Sequence, residues 1–241
     1  PISLVITGPR DKKIYYSTDG NNPSTLFLDS LVIRSTQTVR VRMEGDKRDI
    51  TRNYLFTKHS LPVVFLTMRP GDLFDTISGM YVKGPGAKPD SPYRGANFHK
   101  NWERVANIEL LGADFDSEFN QQVGVRIFGQ YSAMLPQKSF SIHAKSKYGK
   151  KKIKAKVFDN LEFKKYKSLI LRNSGSDFCS SHFRDVFMTS LVRDLNIETQ
   201  AYRSCVVYLN GEYWGIYHLR EKLNEHYLQQ HFEVDKDSVA I

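Results

Sequence analysis

The sequence predicts an α+β protein, a small β-sandwich followed by a larger, mostly antiparallel sheet with packed helices. Three observations carry that expectation. Short alternating apolar runs broken by Gly, Pro, Asp and Asn fill residues 1–57, the rhythm of a small sandwich. A run of buried-strand composition, PVVFLTM, follows the joint His59-Ser60-Leu61-Pro62 and opens a second unit. Near the other end, AYRSCVVYLNGEYWGIYHLREK, Ala201 to Lys222, sets two runs rich in Val, Tyr and Trp around Asn210-Gly211, residues that accept the positive φ angles of a two-residue hairpin turn. The expected division is residues 1–58 and 59–241.

Taken in order, the first unit offers strands at Ser3 to Thr7, Lys13 to Ser17, Thr38 to Met43 and Ile50 to Phe56. In the second, Gly, Pro, Lys and Asp dominate Lys83 to Tyr93, so Arg69 to Asn101 reads as a surface loop. Trp102 to Leu111 regains alternation, with Val105, Ile108 and Leu110 as its apolar positions. GVRIFG, the loop QYSAMLPQ and KSFSIHAK then form strand, small-residue loop and strand. In that geometry backbone amides can cover a phosphate, with Lys138 as a point charge at the return strand. KSLILR, Lys167 to Arg172, is a central strand leading through Asn173, Ser174 and Gly175 toward a helix that Ser180 or Ser181 can cap. On that helix Phe183, Val186, Phe187, Leu191 and Leu195 share one stripe, with Arg184 and Asp185 beside it. A loop of Asn, Ser and Gly at such a helix start can receive an anion, and is equally how a strand enters a helix. In the hairpin, Tyr213, Tyr217 and Leu219 alternate with Trp214, Ile216 and His218; Gly215 leaves a gap, and Arg220, Glu221 and Lys222 crowd the strand's end. Leu223, Tyr227, Leu228 and Phe232 mark a last amphipathic helix.

Charge and composition narrow the function. The chain of 241 residues carries a net charge of +9, which favours acidic partners or simply keeps a basic surface soluble. The basic run KYGKKKIKAK, Lys147 to Lys156, lacks an aromatic ladder, so it reads as a solvated edge rather than a nucleic-acid contact. Cys179 and Cys205 imply neither a zinc site nor a disulfide framework; they read as two buried thiols, with a single disulfide as the alternative. No apolar run reaches the roughly 18 residues of a membrane span. The chain starts at Pro1 and stops at Val239-Ala240-Ile241, where a new strand is expected to begin, so it reads as a piece of a longer protein.

Two resemblances follow from motifs. IYYSTDGNNPS, Ile14 to Ser24, resembles the strand and turn of the small β domain at the C-terminus of chitobiases and β-hexosaminidases, which implies possible glycan contact; its Asp-Gly and Asn-Pro pairs also suffice as turn chemistry. GVRIFGQYSAMLPQKSFSIHAKSKYG, SLILRNSGSDF, FRDVF and YLNGEYWGIYHLREK, in that order, resemble the CotH-type atypical protein kinases over residues 60 to 241. The resemblance implies a partial kinase-like domain, ATP with a divalent metal such as Mg2+, a secreted or surface protein substrate with an acceptor Ser, and a secreted or cell-surface bacterial location. It implies nucleotide-binding roles for Lys138 and Ser132 in the loop block, Glu221 at the hairpin's end, and Arg172 and Asp185. The metal-binding and catalytic aspartates of that family fall beyond Ile241, so this stretch is expected to be inactive alone, and Ala133 stands where the family commonly has Arg. The competing reading is a kinase-like surface adhesion or carbohydrate-contacting protein that has lost catalysis.

Overall fold

The computed structural model describes residues 1–239; Ala240 and Ile241, at the expected start of a further strand, lie outside them. The N-terminal unit has two pieces. A ribbon joins β1 (Ile2–Leu4) to β4 (Leu31–Ile33), and a four-stranded antiparallel sheet runs β3 (Thr25–Leu26), β2 (Ile14–Ser17), β5 (Gln37–Met43), β6 (Ile50–Tyr54). The motif around Asp19 is a turn: Asp19 accepts the Asn21 amide at 3.0 Å, and the Ser17 hydroxyl donates to the Asn21 carbonyl at 2.6 Å.

The remaining long strands close into a barrel, a closure that the linear pattern of strands does not announce. In chain order they are β7 (Val63–Thr67), β8 (Arg104–Leu111), β9 (Ser117–Phe128), β10 (Ser139–His143), β13 (Ser168–Arg172), β14 (Tyr202–Leu209) and β15 (Glu212–Glu221). Around the barrel the order is β10, β13, β15, β14, β7, β8, β9 and back to β10. Every pairing is antiparallel except β7 with β14, where Val63 to Leu66 run alongside Val206 to Leu209. This seam explains why five successive residues of β7 are buried. Val64 and Leu66 face the barrel interior, while Val63 and Phe65 join Leu111, Val206 and Tyr208 in a second apolar cluster outside it, packed by Leu55 and Leu61. A two-stranded ribbon, β11 (Ile153–Lys154) with β12 (Lys165–Tyr166), lies in the excursion between β10 and β13.

Helices are few and short: α1 (Pro70–Phe74), α2 (Arg184–Leu191) and α3 (Glu225–Phe232). None is long and apolar enough to cross a membrane. Cys205 is buried as expected, its thiol pushed up to about 12 by burial, but Cys179 is exposed. On β8 Ala106, Ile108 and Leu110 belong to the main core, and Val105 is exposed.

Two corrections concern strand and loop detail. On β15 the alternation slips, because Gly215 (φ +116°) sits opposite a register shift at Val207/Tyr208. Trp214 therefore packs on the core, Tyr217 and Leu219 are fully buried, and Tyr213 is exposed. The gap over Gly215 is filled from within by Gln137, whose Nε2 donates to the Ile216 carbonyl at 2.7 Å. The stretch Arg69 to Asn101 is irregular but not merely superficial: Leu73, Met80, Ala96, Asn97 and Phe98 are buried, and the Asn97 amide ties the segment to the carbonyls of Ile77 and Gly79.

The hairpin turn joins the two units. Asn210 (φ +53°) and Gly211 (φ +88°) adopt the left-handed conformations that the dipeptide favours. A Cβ on Gly211 would lie 2.8 Å from the Gln37 Cα, and the Asn210 side chain abuts Gly20 while accepting the Met68 amide at 2.9 Å. Gly211→Ala is expected to cost about 1–3 kcal/mol, since it adds left-handed strain to a backbone clash that no side-chain rotation relieves. Urea unfolding measures it; a cost below about 0.5 kcal/mol would mean the N-terminal unit does not sit on this turn.

Candidate functional site

The residues singled out by sequence divide between the two faces of the barrel wall. Strand alternation is the reason: Phe140, Ile142, Leu169, Leu171, Tyr217 and Leu219 point into the core, so Ser139, Ser141, Arg172, His218 and Arg220 project from the other side. Across that outer face Arg126 pairs in register with Ser141, Ser141 with Ile170, Ile170 with Arg220, and Arg172 with His218. Arg172 and Asp185 belong to this face, whereas Lys138 and Glu221 belong to the inner one.

Lys138 is 4% exposed. Its ammonium donates to the carbonyls of Ala133 at 2.6 Å and Leu135 at 2.9 Å and lies over the rings of Phe98 and Tyr81. No carboxylate approaches it within ion-pair distance among the described residues, and burial pulls its pKa from 10.5 down to about 8. The loop before it is held from several sides. The Tyr81 hydroxyl donates to the Pro136 carbonyl and accepts the Lys138 amide, both at 2.9 Å; Tyr217 donates to the Lys138 carbonyl; and Asn173 Nδ2 donates to the Gln137 carbonyl at 2.5 Å. Ser132 lies in this loop above Gly129 (φ +102°), where a Cβ would come within 2.5 Å of the Ser132 hydroxyl. Ala133 is buried with Ala96 and Phe98, so this position has no room for the longer side chain that the resemblance leads one to expect.

Glu221 closes the other end of β15. Its carboxylate accepts the Ala201 amide at 3.0 Å and contacts His231 Nε2 at 2.8 Å, while His231 Nδ1 lies 2.9 Å from Glu198. It makes no contact with Lys138.

The helix start is occupied by the chain's own anion. Asp177 accepts the Ser181 hydroxyl and the amides of Arg184 at 2.9 Å and Phe183 at 3.0 Å, and the bonds from Ser181 and Arg184 bring its carboxyl down to about 2. Asp177 is thus the main cap; Ser181 assists by accepting the same amides at 3.3 and 3.2 Å, and Ser180 takes no part in the capping contacts. The apolar stripe of α2 is also turned the other way from the expected packing: Val186 is buried, but Phe183, Phe187 and Leu191 are exposed, as is Leu195 beyond the helix. The cause is Asp185. It accepts from Arg172 Nε at 2.7 Å and from Arg220 Nη1, and Thr189 lies 3.5 Å from Arg220, so the polar side of the helix faces the barrel.

These contacts prearrange a cationic surface. Burial opposes ionisation of Asp185, but the guanidiniums of Arg220 and Arg172 outweigh it and hold the carboxyl below its ordinary value. Arg220 Nε is buried without a hydrogen-bond partner. Lys222 follows on the same face, its pKa lowered by burial and by Arg126 and Lys145. Arg172, Arg220 and Lys222 line a cavity of about 170 Å³ together with Phe128, Ile170, Gln200 and Leu223. Next to it burial lowers the pKa of His218 and favours its neutral form, in which Nε2 donates to the His182 carbonyl at 2.9 Å and Nδ1 is left to accept from Ser204. Sequence reading noticed the charges of Arg220 and Lys222 but singled out Glu221; period-2 alternation already separates the two cations from the carboxylate between them.

The cavity fits an anion. Three cations, one with an unused buried N–H, face a space below the ~300–1,000 Å³ of pockets that enclose whole small molecules, a size for phosphate oxygens with the rest of a ligand outside. A metal does not fit equally well: among the described residues no group of three or more His, Cys, Asp or Glu side chains could hold one.

No curated protein matches the chain. Residues 125–241, from the middle of β9 through the cationic face and α3, match the family model of the CotH kinase protein, and that match supports a place for this part of the chain in the CotH family.

Proposed function

We propose that residues 59–239 form the nucleotide-covering part of a CotH-like protein kinase, with the nucleotide phosphates against Arg172, Arg220 and Lys222. The observation that carries this reading is the cavity walled by those three cations within the stretch similar to the CotH kinase protein. ATP, when bound with a divalent metal such as Mg2+, supplies the phosphoryl group for an acceptor Ser of a secreted or surface protein.

The chain's own contribution is position and charge. Asp185 fixes the two guanidiniums before any ligand arrives, so neutralising phosphate charge requires little reorganisation. Glu221 anchors the end of β15 through Ala201 and His231, which sets the neighbouring Arg220 and Lys222. Lys138 acts through the loop that carries Ser132: its ammonium ties down the carbonyls of Ala133 and Leu135, leaving the loop a fixed shape.

Titration of the chain with a non-hydrolysable ATP analogue tests the reading. The wild type is expected to bind, and Lys222→Ala and Arg172→Ala each to weaken binding about tenfold, the worth of one charge-assisted hydrogen bond. Lys222→Ala breaks no ion pair among the described residues, so its melting temperature should match the wild type. Absence of binding by the wild type, or wild-type affinity in both variants, overturns the assignment of this face.

A further inference from the structure

A second cationic site lies away from this face, in a cleft of about 490 Å³ between the N-terminal sheet and the barrel. Seven cationic side chains and three carboxylates line it. Each carboxylate is shared. Asp49 is gripped by both Arg40 and Arg42, the latter at 2.5 Å; Asp72 lies 2.7 Å from Arg69 and 3.9 Å from Arg104; and Glu103 takes Lys147 at 3.0 Å along with Lys145 and Arg126 from behind. The internal anions therefore orient the guanidiniums but leave each cluster with positive charge to spare. Lys47 and Arg48 add two exposed cations with no carboxylate partner among the described residues.

The geometry is prepared rather than merely basic. Arg104 donates to the Ser78 carbonyl at 2.9 Å and lies 5.0 Å from the Trp102 ring centre, and its buried Nε has no hydrogen-bond partner. The Asp49 side chain is 3% exposed, so Arg40 and Arg42 are tethered to a fixed point. Carboxylates already pair with Arg40, Arg42, Arg69 and Arg104, while Arg48 has none, and the surplus of positive charge from several strands and loops suits a doubly charged oxoanion better than a monoanion.

We propose that this inter-unit cleft binds a phosphoryl group, carried either by a free phosphate compound or by a phosphorylated side chain of a partner protein. The site needs residues of both units, so it exists only while the N-terminal sheet is docked on the barrel. It shares no residue with the cavity of Arg172, Arg220 and Lys222 and stands independently of the kinase reading.

Calorimetric titration of the full chain with pyrophosphate, and with a phosphoserine peptide beside its unphosphorylated counterpart, tests the proposal. The double variant Lys47→Glu/Arg48→Glu is expected to weaken pyrophosphate binding at least tenfold with an unchanged melting temperature, while Lys222→Ala leaves this binding intact. A phosphopeptide that competes with pyrophosphate, when the unphosphorylated peptide does not, identifies a protein-borne group. Pyrophosphate binding with no competition from the phosphopeptide identifies a free phosphate compound. Lack of pyrophosphate binding, or equal affinity in the double variant, overturns the site. Binding lost only in Lys222→Ala also overturns it, and leaves the nucleotide face standing.

Discussion

Lys138→Met is expected to flatten the dependence of stability on pH between about 8 and 10.5. In the folded chain the ammonium gives up its proton near pH 8, whereas in the unfolded chain it does so near the ordinary 10.5. Between those values the unfolded state binds more protons, so the wild type gains stability as pH rises through the window; below about pH 8 both states are charged and the burial penalty is fully present. A drop from 10.5 to about 8 corresponds to roughly 3 kcal/mol. Met keeps most of the stem's packing against Phe98 and Tyr81 but removes the titration and the two hydrogen bonds to carbonyls. Tyr81 and Tyr217, the nearby phenols, are both pushed upward by burial and are common to both proteins. Urea unfolding of both proteins from pH 7 to 10 measures the difference; parallel curves would place the Lys138 amine in contact with water.

The second large effect belongs to Asp185. Asp185→Ala is expected to destabilise the chain by roughly 2–3 kcal/mol near neutral pH, because Arg220 remains buried with no counter-charge. The figure sits below that for a fully buried pair, since the carboxylate is partly exposed and screened. Its folded pKa is lowered, so its stabilising contribution is present above the ordinary carboxylate value and disappears as pH falls through the folded one. Wild type and variant should therefore converge in acid. A loss under about 0.5 kcal/mol at pH 7 would show that the two arginines are solvated and that the cationic face is not prearranged. If the loss is found together with weakened nucleotide binding, stability and function share this carboxylate.

Local chemistry was legible wherever one strand or turn decides the outcome. Asn210-Gly211 specified its hairpin because few other dipeptides accept two left-handed residues, and KSLILR specified a central strand because its inward residues are all large and apolar. Lys138, Ser132, Arg172, Asp185 and Glu221 were visible as polar residues at strand ends and loops. Their grouping was not. It follows from which face each strand turns outward once the sheet closes, and closure depends on β7 meeting β14 in parallel, a pairing between segments more than a hundred residues apart.

The same reason explains the two misread surfaces. The periodicity of α2 marks an apolar stripe, yet a stripe does not state which neighbour it meets; two arginines brought together by β13 and β15 attract Asp185 and turn the stripe away from the barrel. On β15 the two-residue period holds until Gly215, where a bulge resets it. The sequence by itself determined the local elements, the hairpin turn and the stock of basic side chains, because these depend on neighbours within a few residues. Only the tertiary structure decided that Lys138 is buried against carbonyls, that Arg172 and Arg220 share one carboxylate, and that Arg40 and Arg104 line one cleft. The Lys138 bonds depend on how its loop is folded by its neighbours, and the other two on how separate elements pack against one another.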